Sequence, residues 1–198
     1  MSFHVMYNCL KRKLILGILL GVFDGHGGRT CAQVVSKRLF HYISACLLPT
    51  RLLKQYLNTV NSNDKLKLLQ IFNDKVEFIS EIRDLYQASF LTFVKDLIEM
   101  ECTKEFQMET ALENAFLRLD NDLSNEALSN LDKNSTATTL AVAMSGAVAA
   151  VAHIDGPHLH VTGLGDCQAV LGILSGMNYN HQTLQFYQKF SPHCRDCC

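Results

Sequence analysis

Asp24, Gly25, His26, Gly27 and Gly28 stand in immediate succession at the end of an apolar run, Leu14 to Phe23. A carboxylate, a backbone carbonyl freed by glycine and an imidazole at this spacing suit a hydrated hard cation such as Mg²⁺ or Mn²⁺. The glycines let the backbone approach a ligand without obstruction by a Cβ. The plainer reading is also open, because Asp-Gly is a common turn dipeptide and a following histidine can be an ordinary loop residue.

The elements that must position this group are a strand and a helix. Residues 14 to 23 read as a buried strand, and Ala32, Val35, Leu39, Tyr42 and Cys46 recur at helical spacing directly after the glycines. A helix is expected over 29–47, stopped by Pro49. Asp24 then sits at the carboxyl end of the strand. Lys11-Arg12-Lys13 ahead of the apolar run imitates a signal sequence. The run is about ten residues, short of the ~20 that span a bilayer, so a core strand and no membrane span are expected.

Further along, the pattern weakens from Thr50 to Asp74, with a polar loop at Asn58 to Asp64. Ile79, Ile82, Tyr86, Phe90, Phe93, Leu97 and Met100 predict an amphipathic helix over 75–101, packed on the protein's own sheet. Another is predicted over 108–128, with Leu112, Ala115, Phe116, Leu119 and Leu123 inward and Asp120-Asn121-Asp122 on a solvated face. After Asn134 the composition turns small, β-branched and apolar. Strands are expected at 137–145, 147–154, 158–164 and 168–174, with a hairpin about Asp155-Gly156. His153, His158 and His160 lie across that hairpin and read as strand residues rather than zinc ligands. From Gly176 the chain reads as an unpatterned tail, 176–198, ending in Cys194, Cys197 and Cys198.

The 198 residues are 48% hydrophobic with a net charge of −1, enough for one domain with a real core. The charges are interspersed, which argues against nucleic acid or a membrane surface as partner. Eight cysteines are scattered without a loop-rich framework, so reduced thiols are expected.

Val22-Phe23-Asp24-Gly25-His26-Gly27-Gly28 resembles the signature of the metal-dependent serine/threonine protein phosphatases of type 2C. Ser135-Thr136-Ala137-Thr138-Thr139 and Gly165-Asp166-Cys167-Gln168-Ala169-Val170-Leu171 extend the resemblance in the same order. It implies an α+β fold, an α/β/β/α sandwich of antiparallel sheets flanked by helices, with a phosphatase domain over 1–175. It also implies hydrolysis of phosphoserine by water held between two divalent cations, Mg²⁺ or Mn²⁺, about 4 Å apart. Asp24 matches the carboxylate bridging both metals, Gly25 the carbonyl ligand of one, and Asp166 an acid of a weaker third site. His26 matches the proposed general acid.

The long helical block, about 50–128, resembles the branch of that family acting on mitochondrial pyruvate dehydrogenase. It shares Val35-Ser36-Lys37-Arg38-Leu39-Phe40, Ala115-Phe116-Leu117-Arg118-Leu119-Asp120-Asn121-Asp122 and Val151-Ala152-His153-Ile154-Asp155-Gly156. The resemblance implies a phosphoprotein substrate, the pyruvate dehydrogenase complex, and the mitochondrial matrix; no transit peptide is visible, and a cytoplasmic site is the other expectation. The chain departs from the pattern. Residues 1 to 23 hold no Asp or Glu, the only acid beyond Asp166 is Asp196, and Cys167 and Gln168 stand for Ser and Arg. A partial chain, truncated at both ends and nearly inactive by itself, is therefore expected. A non-catalytic, phosphatase-like binding protein is the alternative.

Overall fold

The computed structural model describes residues 2–10, 14–60, 68, 70–72, 82–100, 107–129, 136–172 and 184–188. The elements in order are β1 (Ser2–Leu10), β2 (Leu14–His26), α1 (Thr30–Leu47), α2 (Thr50–Thr59), β3 (Gln70–Phe72), α3 (Arg83–Glu99), α4 (Met108–Ser129), α5 (Thr136–Ala143), β4 (Gly146–Asp155), β5 (His158–Leu164) and β6 (Leu184–Gln188). The strands form one sheet in the order β3-β1-β2-β4-β5-β6, antiparallel except for β5 with β6. The expected α+β class is what the chain adopts.

Strand β2 alternates two faces, as the period of two requires. Leu19 and Phe23 are buried toward α1, where Phe23 meets Phe40 edge-to-face at 5.6 Å. Gly21 lies between them, and a Cβ there would come within 2.7 Å of the Phe40 ring. The missing side chain lets α1 settle on the sheet. The predicted hairpin forms, with Asp155 opposite His158 and Gly156 in the left-handed region at φ +54°. His153, His160 and His158 stack along one face at 6.0 and 6.4 Å between ring centroids, as strand residues.

Helices α1, α3 and α4 are joined by a buried polar network. Arg38 donates to both carboxylate oxygens of Glu126 at 2.8 and 2.7 Å, and to the Tyr42 hydroxyl at 3.0 Å. The Tyr42 hydroxyl donates to Asp122 at 2.6 Å, Ser89 donates to Glu126 at 2.5 Å, and Arg118 bonds Asp122 and Asp96. Burial works against the Arg38 charge, but Glu126 and Tyr42 outweigh it and hold the guanidinium above its ordinary range. Its Cζ also lies 4.0 Å from the Tyr86 ring centre. Asp122 is therefore buried, which corrects the expectation of a solvated Asp120-Asn121-Asp122 face; Asp120 and Asn121 are exposed as expected.

Four other expectations are corrected. The strand expected at 137–145 is helix α5 instead: Thr139 and Val142 are buried three residues apart, and Ala141 between them is exposed, so the burial period is helical. Packing overrides the β-branched composition. The strand expected at 168–174 is absent among the described residues 168–172, where Val170 is 92% exposed; 173 and 174 lie outside them. The weak stretch after Thr50 contains α2, with Leu53 buried and Leu52, Tyr56 and Leu57 packed on the core. The expected unpatterned tail holds β6, while β1 precedes Leu14, where no element was singled out. The helix expected at 75–101 is α3, and 75–81 lie outside the described residues.

Removing one partner of a buried ion pair strands the other charge, at a cost of about 3–5 kcal/mol. Arg38→Met is expected to lower unfolding free energy in urea by that amount, and adding Glu126→Leu to restore most of it. A loss under about 1 kcal/mol, typical of exposed pairs, would show that water reaches the network.

Candidate metal centre

Pairing of β2 with β4 continues past the apolar run, with Asp24 opposite Val148, Gly25 opposite Ala147 and His26 opposite Gly146. Asp24 and His26, two residues apart, therefore share a face of the sheet, and both are exposed. The strand expected to end at 23 runs three residues further, to His26; the turn follows at Gly27 (φ +66°) and Gly28 (φ +140°), conformations that favour glycine. Asp24 accepts the Gly25 N–H at 3.0 Å through Oδ1.

The second carboxylate arrives through β5. Leu164 ends that strand opposite Ala149, and Gly165, at φ +79°, turns over Val148 so closely that a Cβ would lie 2.3 Å from Val148 Cγ1. Asp166 follows at once. Asp24, Gly25, His26, Val148 and Asp166 line one open depression of about 290 Å³. Cys167 reports the same charge density: partial burial first, then the carboxylates of Asp166 and Asp24, raise its thiol above the ordinary range. A thiol kept protonated is no nucleophile near neutral pH.

These donors fit one hard cation in type and number. Mg²⁺ keeps several waters and needs only one or two carboxylates, which Asp24 and Asp166 supply, with the Gly25 carbonyl beside them. They do not fit two. Among the described residues no group of three His, Cys, Asp or Glu side chains converges as a metal cage. Of the Ser135–Thr139 stretch, 136–139 begin α5 and do not line the depression, and 135 lies outside the described residues. The strand that faces Asp24 starts at Gly146 instead. Gly146 lies against the His26 ring and Ser145 against Gly28, and neither was singled out from the sequence; the Ser-Gly pair before an apolar strand was the available signal.

A model of protein phosphatase 2C matches residues 40–189 of the chain. The chain belongs to the protein phosphatase 2C family. That match takes in Asp166 and starts after the Asp24–His26 segment. Mitochondrial pyruvate dehydrogenase (acetyl-transferring) phosphatase 1 of Homo sapiens is 44% identical over 171 residues, covering 83% of this chain and 31% of that protein. The Bos taurus protein gives the same figures. Phosphatase 2 of Homo sapiens is 36% identical over 169 residues, covering 84% of this chain and 31% of its own length. The chain thus spans about a third of the length of these relatives. No helix among the described residues is long and apolar enough to cross a membrane.

Two measurements test the site and its surroundings. Calorimetric titration with Mn²⁺ is expected to show binding that Asp24→Asn abolishes and His26→Ala leaves nearly intact; equal loss would make the imidazole a ligand. Cys31, at the start of α1, is pushed from 9.0 up to about 11 by burial first and then by Asp120. Between those values the unfolded chain has released the proton that the folded chain keeps, so stability falls as pH rises through this window. The expected loss is about 2–3 kcal/mol, read from urea unfolding at pH 8 and above, and Cys31→Ala removes it.

Proposed function

We propose that the protein is a metal-dependent serine/threonine protein phosphatase whose substrate is phosphorylated pyruvate dehydrogenase in mitochondria. The observation that supports this most is the meeting of Asp24, Gly25, His26 and Asp166 at one depression, although Asp166 lies far along the chain from the others. The identity to the pyruvate dehydrogenase phosphatases supports the substrate and the compartment.

Asp24, Asp166 and the Gly25 carbonyl would hold Mg²⁺ or Mn²⁺, which supplies an acidified water and offsets phosphate charge. The chain's own residues divide the remaining work. The Asp24 and Asp166 carboxylates leave the phosphate's approach open, since both are exposed. His26, on the same face as Asp24, is the general acid that protonates the leaving seryl oxygen.

Two cations carry four positive charges, and two carboxylates offset half of them. A second ion held close by is repelled strongly in a partly desolvated site, so this chain is expected to turn over slowly. Purified residues 1–198 should hydrolyse a phosphoserine peptide slowly with Mn²⁺, above the rate of Asp24→Asn. Turnover equal to that of Asp24→Asn would leave a phosphoprotein-binding role. Fast turnover lost in Asp24→Asn would show that a further carboxylate completes the site.

A further inference from the structure

The two residues joining α5 to β4, and Gly146 that opens β4, each touch the segment that carries the candidate site. The Met144 carbonyl lies 3.5 Å from where a Cβ on Gly27 would be, and the Ser145 Cβ lies 3.3 Å from the same point on Gly28. Ser145 Oγ accepts the Cys31 N–H at 3.0 Å and donates to the Ala141 carbonyl at 2.8 Å. It thereby caps α1, whose own N-cap residue, Arg29, makes no side-chain cap. Gly146 comes next. A Cβ built on it would fall 2.1 Å from His26 Nε2, 2.3 Å from Cε1 and 2.9 Å from Cδ2. Those distances lie inside any van der Waals contact, so the imidazole occupies the space that a side chain at 146 would fill.

We propose that Gly146 is a positioning residue for His26: its bare Cα is the seat on which the imidazole rests, and the Met144–Ser145 anchor fixes that seat against the 25–31 segment. The inference rests on reading His26 as the acid of the phosphatase site and adds what aims it. His26 is exposed and stands at the end of a strand, where an unrestrained side chain samples several rotamers. Cross-strand pairing with Gly146 lays the ring across β2 and β4 instead. A methyl group at 146 must expel the ring, since the three atoms it would meet nearest all belong to His26 and none to Asp24, Gly25 or Asp166. The seat therefore acts on the acid alone and not on the metal ligands.

Nuclear magnetic resonance on the labelled 198-residue chain tests this without reference to turnover. The His26 ring signals are identified by their loss in His26→Ala. In the metal-free parent, a nuclear Overhauser contact between the His26 ring and the Gly146 α protons is expected; its absence overturns the proposal. In Gly146→Ala that ring should shift and lose contact with residue 146. Its broadening by added Mn²⁺, which depends steeply on distance, should change, while calorimetric Mn²⁺ affinity stays that of the parent. The control Ala147→Gly, one residue along the same strand, should leave the ring signals unmoved. Ring signals and broadening unchanged in Gly146→Ala overturn the proposal even if that variant is less stable. If Gly146→Ala does not fold, the parent's contact decides. If Mn²⁺ fails to bind the parent, the phosphatase reading falls, and the seat is still judged by that contact.

Discussion

The site depends on one constraint, the register in which β2 pairs with β4. Asp24 opposite Val148 fixes everything downstream, because Val148 is also the residue over which Gly165 turns. That single side chain links a carboxylate near the start of the chain to one 142 positions later (166 − 24). A slip of one residue would carry Asp24 and His26 to the opposite face of the sheet, since side chains alternate strictly. It would also turn Leu19 and Phe23 out of the core, where both are almost fully buried. Burying each such side chain is worth about 1.5–3 kcal/mol, so the apolar half of β2 locks the register that its polar end uses. Core and site are two ends of one strand.

The helical layer secures that strand by different means. α1 reaches the sheet through Phe40, and reaches α4 and α3 through Arg38 and Tyr42. Buried ions seldom add net stability compared with an apolar core, but they penalise misalignment. A one-turn shift of α4 would part Glu126 from Arg38 and Asp122 from Tyr42 together, stranding several charges at once. The network selects one arrangement of α1, α3 and α4, and α1 begins where the candidate site ends. The Cys31 N–H in its first turn is capped by Ser145 rather than by the Arg29 side chain, which ties the helix to the α5–β4 joint.

How much of this was legible followed from where the physical signal lay. β2, α1, α3, α4 and the β4–β5 hairpin carry periodic burial or a turn dipeptide, and local pattern suffices to read them. α5 misled because Thr136 to Ala143 is small and β-branched, and only its packing reveals the helical period. β1 and β6 acquire their meaning from pairing with distant strands, which no local window contains. Asp24, Gly25 and His26 could be picked out because their motif, like Gly165-Asp166, resembles a known family; by residue type alone an ordinary turn stayed open. Asp122 could not, since the partners that justify its burial, Tyr42 and Arg118, lie on α1 and one turn back on α4. Gly146 was passed over for a related reason: the Ser-Gly pair signals that space is needed, never for what.

The placement of chemistry at the end of β2 follows from opposed requirements. A carboxylate and an imidazole must be wet to meet a cation and a phosphoester, yet they must also be held still, because misplacement by about 1 Å costs catalysis heavily. A loop would meet the first need and fail the second. In this fold the backbone ladder runs on under exposed side chains, through Asp24, Gly25 and His26, and the glycine turn is deferred to Gly27 and Gly28. The polar groups are thus mounted on paired strand, with Asp166 brought alongside by a tight turn rather than a long excursion. What this sheet end lacks is charge. Two carboxylates are enough to hold one hydrated cation, and any further acid has to come from beyond the described residues or from a partner. The described part of the chain therefore presents a strand-mounted candidate metal site, built more completely in its geometry than in its electrostatics.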